Sequence, residues 1–300
     1  MTPTKKLLFV FLAFFLVNIK IFPTFDQNLW IMRKVFRKIH LWLALPIGLL
    51  FSLVCLTGAL LVFEDDYTAW HYSSMRTIPD GDKVISDSAF MAAVQPLLVD
   101  GAKVKNVDEP SNPNLAWKVT LTAPKGAAYF VNQYNGVIIG ACPKPEFFAT
   151  VESLHRWLLN APKGGDSIGK KIVGWCTIGD VFIFISGIVL WWPRNRKMFK
   201  SHTHFQVNGD YRSYRSWHVA GGGFLVLFAL VCALTGLCWA FPWYKEAFTA
   251  MGPIPYKAIH TGAWLGIVSK ILWFVCALFA STLPFTGYYI FLKKPKSRRR

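Results

Sequence analysis

Residues 37–63 read RKIHLWLALPIGLLFSLVCLTGALLVF, and residues 215–241 read RSWHVAGGGFLVLFALVCALTGLCWAF. The two segments align without a gap, so that His40 matches His218 and the pair Thr57-Gly58 matches Thr235-Gly236. Each segment is apolar and long enough to cross about 30 Å of hydrocarbon as a helix. The sequence therefore predicts a membrane protein with an internal repeat, and membrane proteins often place a functional site at the interface between repeats.

Four apolar stretches in all have the length of a membrane span. Hydrophobic residues make up 53% of the 300-residue chain, a share that is high for a soluble protein. The predicted spans are Leu41 to Phe63, Ile172 to Trp192, Val219 to Phe241, and Ala263 to Leu292. The second and fourth spans also match each other, although more loosely. The evidence for this match is that Gly187 and Gly287 occupy similar places near the ends of the two spans.

Basic residues are concentrated next to these spans, and they account for the formal net charge of +17. The three clusters are Arg33, Lys34, Arg37 and Lys38; Arg194, Arg196, Lys197, Lys200, Arg212 and Arg215; and Lys293, Lys294, Lys296 and Arg298 to Arg300. By the positive-inside rule all three face the cytoplasm, which predicts a multi-pass membrane protein with both ends of its core inside. The charge is thus explained by topology, without a nucleic-acid partner.

This topology divides the chain into eight parts. An apolar stretch at residues 5–22 fits the charge rule poorly, so residues 1–31 are interpreted either as the product of an upstream start or as an extra membrane-associated helix. The predicted parts are 1–31, the extra segment; 32–64, the first span; 65–150, a periplasmic domain; 151–193, a short helix and the second span; 194–216, a basic cytoplasmic loop; 217–243, the third span; 244–262, a short periplasmic loop; and 263–300, the fourth span and a basic tail.

Residues 65–150 have the pattern of a small α+β domain. Ser86 to Val99 (SDSAFMAAVQPLLV) predicts an amphipathic helix that begins at a Ser86 or Asp87 cap. Alternating apolar residues then predict strands at Ala116 to Thr122, Ala128 to Gln133, and Gly136 to Gly140. The turn Tyr134-Asn135-Gly136 joins the last two strands as a hairpin.

Four of the seven histidines stand at helix starts, and they form one pair at each predicted membrane face. His40 and His218 lie at the basic side, whereas His155 and His260 lie at the opposite side. Each pair combines one histidine from each half of the repeat, which suits the two axial ligands of a b-type haem. Histidines at a membrane interface can equally hydrogen-bond to headgroups or backbone, and this structural interpretation stays open.

Small and basic residues near these histidines fit a haem, and they also suit ordinary membrane packing and topology. Small residues that would admit a flat porphyrin are Ala44, Gly48, Gly221, Gly222, Ala263 and Gly266. They are also common wherever membrane helices pack closely. Arginines that could pair with haem propionates are Arg37, Arg156, Arg212 and Arg215. They could equally act as topology charges.

At three further polar places, an ordinary structural role is the favoured interpretation. Asp180 lies within the second span, where a carboxyl group is costly, and a buried hydrogen bond to another helix is favoured over a part in proton movement. His71, beside Trp70 and Tyr72, is interpreted as an interfacial residue rather than a substrate or metal contact. His202 and His204 are expected to be solvated in the basic loop, because two alternating histidines alone do not form a metal site.

Several motifs occur in an order that resembles the PepSY-associated transmembrane family. The segment YFVNQYNGVIIG (129–140) resembles the closing hairpin of a PepSY domain. Around it stand the RKIH…TG helix, LHRWLL (154–159), GIVLWWPR (187–194), Trp217-His218, and IHTG (259–262). The resemblance covers residues 32–295. It implies a mainly α membrane protein: a four-helix transmembrane bundle made of two repeated helix pairs, with an inserted extracytoplasmic α+β PepSY-like domain.

The same resemblance implies a function. The family includes ferric-siderophore reductases of the inner membrane that carry two haem b groups, so a ferric siderophore or another ferric chelate is the expected substrate. The chain has no recognisable nicotinamide or flavin motif, and a membrane quinol or a separate reductase is therefore the expected electron donor. Two alternatives stay open: a non-enzymatic membrane module whose PepSY domain binds or inhibits a partner protein, and a quinone-linked redox protein.

Overall fold

A computed structural model describes residues 26–79, 81, 83–124, 126–162 and 167–293. In these ranges the α-helices are α1 (Asp26–Leu61), α2 (Glu64–His71), α3 (Ser73–Arg76), α4 (Asp87–Val94), α5 (Glu146–Trp157), α6 (Ile168–Trp191), α7 (Arg196–Thr203), α8 (Tyr211–Ser216), α9 (Gly222–Ala240), α10 (Pro242–Ala250), α11 (Tyr256–Thr261) and α12 (Ile267–Leu292). The strands are β1 (Val104–Asp108), β2 (Trp117–Leu121), β3 (Ala128–Val131) and β4 (Ile138–Ala141). Short 3₁₀ turns follow α4 and α11, and a π-helical turn joins α8 to α9.

Within the described residues, four helical segments are long and apolar enough to cross a membrane. They are Met32–His71, Ile168–Trp191, Tyr211–Ala240 and Ile267–Leu292. The predicted mainly helical membrane fold with an inserted α+β region is thus confirmed. Proline occurs inside two of these helices, at Pro46 and Pro284, as membrane helices tolerate better than soluble ones.

The chain divides into two compact units, each of which contains part of every long helix. The first unit holds the described residues of Met1–Gly48, Gly179–Val226 and Phe285–Arg300. The second unit holds the described residues of Leu49–Ile178 and Leu227–Pro284, and so it includes the strands. In the first unit, the Tyr288 hydroxyl donates to the Leu45 carbonyl oxygen at 2.8 Å. In the second, the Phe63 and Phe274 rings pack with centroids 5.5 Å apart.

Several helix boundaries differ from the prediction. The first long helix begins at Asp26 rather than Leu41, so residues 26–31 are part of helix α1. Residues 1–25 and the basic residues from 294 onward lie outside the described residues. The predicted loop 244–262 contains α10 and α11, and α12 begins at Ile267 because Gly266 adopts a φ of +65°. That positive φ favours glycine and interrupts a helix.

The inserted domain is a four-stranded antiparallel meander in the order β1-β2-β3-β4. Its predicted strands and hairpin are found, with Gly136 at φ +73° donating its N–H to the Asn132 carbonyl oxygen at 2.8 Å. Ser86 caps α4 as predicted, because its side chain accepts from the Ala89 N–H at 3.3 Å. Strand β1 was missed: it reads VKNVD, and a polar edge strand lacks the alternating apolar signal.

Apolar side chains cover both faces of this sheet. On one face, Phe90 and Val94 of α4 pack with the strand residues Val119, Leu121 and Val131. On the other, a separate cluster contains Ile78, Ala116, Ala128, Phe130 and Cys142. Two covered faces give this small domain a core of its own.

Candidate functional site

The His155 imidazole is held by the end of the first span. His155 lies on α5, and its Nδ1–H donates to the Val54 carbonyl oxygen at 2.9 Å and contacts the Thr57 hydroxyl oxygen at 3.1 Å. The Thr57 hydroxyl in turn donates to the Leu53 carbonyl oxygen at 2.7 Å, which leaves its oxygen ready to accept from the imidazole. Gly58 faces the ring edge so closely that an added Cβ would lie 3.1 Å from Cε1 of His155.

The His260 imidazole is held in the same way by the end of the third span. Its Nδ1 lies 3.0 Å from the Thr235 hydroxyl oxygen, and the Cys232 carbonyl accepts a hydrogen bond from the ring. Thr235 donates to the Val231 carbonyl oxygen at 2.6 Å. A Cβ on Gly236 would lie 3.2 Å from Cε1 of His260. The repeat seen in the sequence is therefore a repeat of hydrogen bonds as well.

In the first unit, His40 contacts the end of the second span. Its Nδ1 lies 3.1 Å from the Ile183 carbonyl oxygen and 3.1 Å from the Ser186 hydroxyl oxygen. Ser186 donates to the same Ile183 carbonyl at 2.8 Å, so it also presents its oxygen to the imidazole. A Cβ on Gly187 would lie 3.6 Å from Cε1 of His40, which is an ordinary van der Waals contact.

His218 completes the set at the end of the fourth span. Its Nδ1 lies 3.1 Å from the Thr286 hydroxyl oxygen, and a Cβ on Gly287 would lie 3.1 Å from its Cε1. His218 belongs to the π-helical turn Trp217–Gly221, a local widening that is frequent at functional sites. Near one end of each long helix, a hydroxyl residue and a glycine thus contact one imidazole.

Each imidazole contacts a Ser or Thr hydroxyl and the glycine that follows it, and we call such a pair a hydroxyl-glycine receptor. The sequence analysis did not predict these pairs, although a signal for them was present. The sequence identifies candidate histidines by their positions at helix starts, where Thr57-Gly58 and Thr235-Gly236 serve only as landmarks of the repeat. The common feature is a Ser or Thr directly before a Gly near one end of each span: Thr57-Gly58, Ser186-Gly187, Thr235-Gly236 and Thr286-Gly287. Which histidine meets which receptor depends on helix packing and is not readable from the chain.

The structure brings the four histidines together in the two predicted pairs. The ring centroids of His40 and His218 are 6.1 Å apart in the first unit, and those of His155 and His260 are 6.4 Å apart in the second. Two imidazoles on opposite sides of one metal ion, each with a metal–nitrogen bond of about 2 Å, would have centroids roughly 6 Å apart. The spacing of both pairs therefore fits bis-imidazole coordination.

For His40, His155 and His260, a hydrogen bond to a backbone carbonyl also fixes the tautomer that coordination requires. A ring whose Nδ1–H donates to a carbonyl carries its lone pair on Nε2, and metal-binding histidines almost always make such a bond through their other nitrogen. Burial lowers the pKa of His155 to about 4, and it lowers the pKa of His260 to about 4 as well. Both imidazoles are therefore neutral at pH 7, which is the form that binds a metal.

The predicted small residues have varied surroundings. Gly48 and Gly221 are buried, Ala44 and Gly222 are half-buried, and Ala263 and Gly266 are exposed. A Cβ on Gly222 or on Gly266 would meet no atom within 4 Å among the described residues. Open space at Gly222, four residues after His218, is compatible with a flat group at that histidine.

Arg156 differs from the other three predicted arginines. Its Nη1 donates to Glu152 at 2.7 Å, and its guanidinium lies 4.4 Å from the centre of the Trp157 ring. Its Nε is buried and has no hydrogen-bond partner among the described residues, which leaves a donor for an anionic group beside His155. Arg37, Arg212 and Arg215 are exposed.

Two structural interpretations of the other polar residues are corrected. Asp180 is buried at 8% exposure, yet no hydrogen bond or ion pair to it occurs in the described part of the chain, so the expected bond to another helix is absent there. His202 is half-buried rather than solvated: its Nδ1 lies 2.7 Å from the Trp191 carbonyl oxygen at the end of α6. A carbonyl at a helix end lacks an intrahelical partner, and a nearby histidine can supply one. The His71 ring stacks on the Tyr67 ring with centroids 5.8 Å apart, and its interfacial role stays a prediction.

No group of three or more His, Cys, Asp or Glu side chains is placed to hold a metal ion within the described ranges. The fold and the site together define a multi-pass membrane protein with one pair of histidines in each of two units. A family model described as the PepSY-associated TM region matches residues 37–254, nearly three quarters of the chain. The chain therefore belongs to the PepSY-associated transmembrane family. A search of curated proteins gave no significant match.

Proposed function

We propose that this protein carries electrons across the cell's inner membrane through two haem b groups and reduces a ferric chelate, such as a ferric siderophore, on the periplasmic side. His40 and His218 would hold one haem, and His155 and His260 the other. The membrane part of the proposal rests on the four apolar helices and on the family match. The haem part rests on the histidine pairs.

The observation that carries the proposal is the repeated support of the four imidazoles. Nδ1 of each ring lies 3.0 to 3.1 Å from a Ser or Thr hydroxyl. A histidine that merely fills a helix interface does not need the same hydroxyl-glycine receptor four times, whereas a ligand must be held in one orientation and one tautomer. Each receptor belongs to the same repeat half as its histidine, and each pair joins the two halves.

Haem bound at each pair would supply one-electron chemistry. The chain's own residues hold the imidazoles, and their glycines keep the ring edges close to the receptor helices. Arg156, with its unpartnered Nε, can bind a propionate beside the second pair. Glu152 holds this arginine in place from one turn earlier on α5.

The visible spectrum of the purified protein tests the haem. We expect a Soret band and sharp reduced α and β bands, and alanine at any of the four histidines should lower the haem-to-protein ratio by about half. His204→Ala is the matched control, because His204 is exposed in the basic loop. A colourless protein, expressed with ample haem, would refute the proposal and favour a partner-binding role for the sheet domain.

The reaction is tested by reoxidation. Chemically reduced protein should lose its reduced haem bands when it is mixed with a ferric chelate. A chelator specific for ferrous iron should form its ferrous complex at the same time. If several ferric chelates leave the spectrum unchanged while a quinone reoxidises the protein promptly, a quinone-linked redox function replaces the iron-reductase proposal.

The orientation is tested by labelling single cysteines in a cysteine-free background. Lys118→Cys and Asn135→Cys in the sheet domain should react with an impermeant reagent from outside, whereas Arg196→Cys should react only after the membrane is opened. The opposite pattern would contradict the positive-inside assignment.

A further inference from the structure

A cavity in the second unit lies next to His260 and has a composition suited to a charged ligand. It has a volume of about 330 Å³ and lies between the end of α9, α10 and α11. Its lining consists of Cys238, Trp239, Pro242, Lys245, Tyr256 and Lys257. We call it the lysine groove. A volume of this size is at the lower end of the range for small-molecule sites, so it suits one arm of a larger molecule.

Trp239 connects the lysine groove to the second histidine pair. Its ring lines the groove, and its centroid is 5.1 Å from that of His260 and 5.0 Å from that of Tyr256. Tyr256 is buried, which holds the aromatic wall in place. A molecule in the groove would therefore be separated from the His260 ring by a single indole.

The charge of the groove selects the ligand. Lys245 and Lys257 are both exposed, and none of the described residues that line the groove is acidic. Ammonium groups act as mobile point charges rather than as a rigid fork, so they favour a negative ligand without requiring one fixed geometry. The Trp and Tyr walls add affinity for flat or apolar rings.

We propose that the lysine groove binds the substrate and that it selects an anionic ferric chelate with phenolate or carboxylate groups over neutral and cationic chelates. This inference rests on the proposed function for the identity of the ligand, but the groove's preference for anions can be measured without any electron transfer. Gallium(III) matches ferric iron in charge and is not reduced, so gallium complexes report binding alone.

The experiment compares two gallium complexes on the full-length protein by calorimetry. One is the mono-anionic complex of a hexadentate phenolate–carboxylate chelator, and the other is the cationic complex of a linear trihydroxamate. We expect the anion to bind at least tenfold more tightly at low salt, and we expect added salt to reduce that difference. Equal or tighter binding of the cation would overturn the proposal, and this comparison needs no variant.

Variants then locate the site. Lys245→Gln and Lys257→Gln should each weaken binding of the anion about three- to tenfold and leave the cation unaffected, as expected for one partly solvated charge. Lys105→Gln is the matched control, because it removes the same charge from an exposed position on β1 of the same unit. Anion binding that is unchanged in both groove variants, or weakened equally in Lys105→Gln, would overturn the assignment.

The two proposals fail separately. If the protein carries no haem but binds the anionic gallium complex through Lys245 and Lys257, the electron-transfer function fails and the lysine groove stands as an anion site. If the protein carries haem that ferric chelates reoxidise, yet the groove variants bind and react like the unaltered protein, only the lysine groove fails.

Discussion

Replacing Gly287 or Gly187 by alanine should affect stability differently. Both glycines face an imidazole of the first pair, but a Cβ would lie 3.1 Å from Cε1 of His218 at Gly287 and 3.6 Å from Cε1 of His40 at Gly187. Carbon atoms pack best at about 3.5 to 4.0 Å, so the His218 ring must move by at least about 0.4 Å in Gly287→Ala. The His40 ring need not move in Gly187→Ala.

The expected energies follow from this difference. Overpacking costs about 1 to 3 kcal/mol, whereas replacing a helical glycine by alanine gains about 1 kcal/mol. Gly287→Ala should therefore be destabilised by about 0 to 2 kcal/mol, and Gly187→Ala should be neutral or stabilised by up to about 1 kcal/mol. Gly58→Ala and Gly236→Ala, at 3.1 and 3.2 Å from their histidines, should behave like Gly287→Ala.

Thermal unfolding in detergent measures the order of stabilities, and the visible spectrum measures the geometry of the pair. We expect Gly287→Ala to lower the haem-to-protein ratio or shift the reduced bands, because the displaced His218 loses its alignment with Thr286. Gly187→Ala should match the unaltered protein in its spectrum and unfold at the same temperature or a higher one. If the two variants have the same unfolding temperature and the same spectrum, the close contact between glycine and imidazole does not constrain the site.

Three further outcomes are expected. Lys144 bridges Glu64 at 2.5 Å and Glu152 at 2.7 Å, so Lys144→Met should cost about 1 to 2 kcal/mol at pH 7, allowing for partial exposure. Burial favours protonation of Glu152, but the hydrogen bonds from Lys144 and Arg156 outweigh it and lower the pKa of this carboxyl. The loss of stability in Lys144→Met should therefore be present at neutral pH and shrink as the pH falls through the lowered pKa of Glu152. Unfolding at pH 7 and at pH 3 can measure this change. An equal loss at both pH values would contradict this reasoning. Burial raises the pKa of the Cys142 thiol to about 11, so a maleimide at pH 7.5 should label it only after unfolding, and prompt labelling of the native protein would show that the sheet core is open. Asp180 has no partner in the described part of the chain, so Asp180→Asn should retain the stability of the unaltered protein and Asp180→Leu should equal or exceed it; a large loss in both variants would reveal a required polar contact.

The sequence alone determined the membrane class, the four spans, the repeat and the α+β insertion. These features follow from local quantities: a run of apolar residues must leave water, and alternating residues form a half-buried strand. The histidine pairs could be predicted because the repeat places His40 over His218 in one alignment. Edge strand β1 could not be predicted from the sequence, since its VKNVD segment has too few apolar side chains to show the alternation of a strand.

Tertiary structure decided how each histidine is held. Thr57 and His155 are 98 positions apart, and Ser186 and His40 are 146 positions apart, so no local pattern connects them. Their hydrogen bonds form because helices from one repeat half pack side by side, and the glycine after each hydroxyl residue lets an imidazole approach the backbone. The lysine groove has the same origin, because α10 and α11 fold where the sequence suggested only a loop. A local pattern specifies which segments leave water, but only packing specifies which side chains then meet.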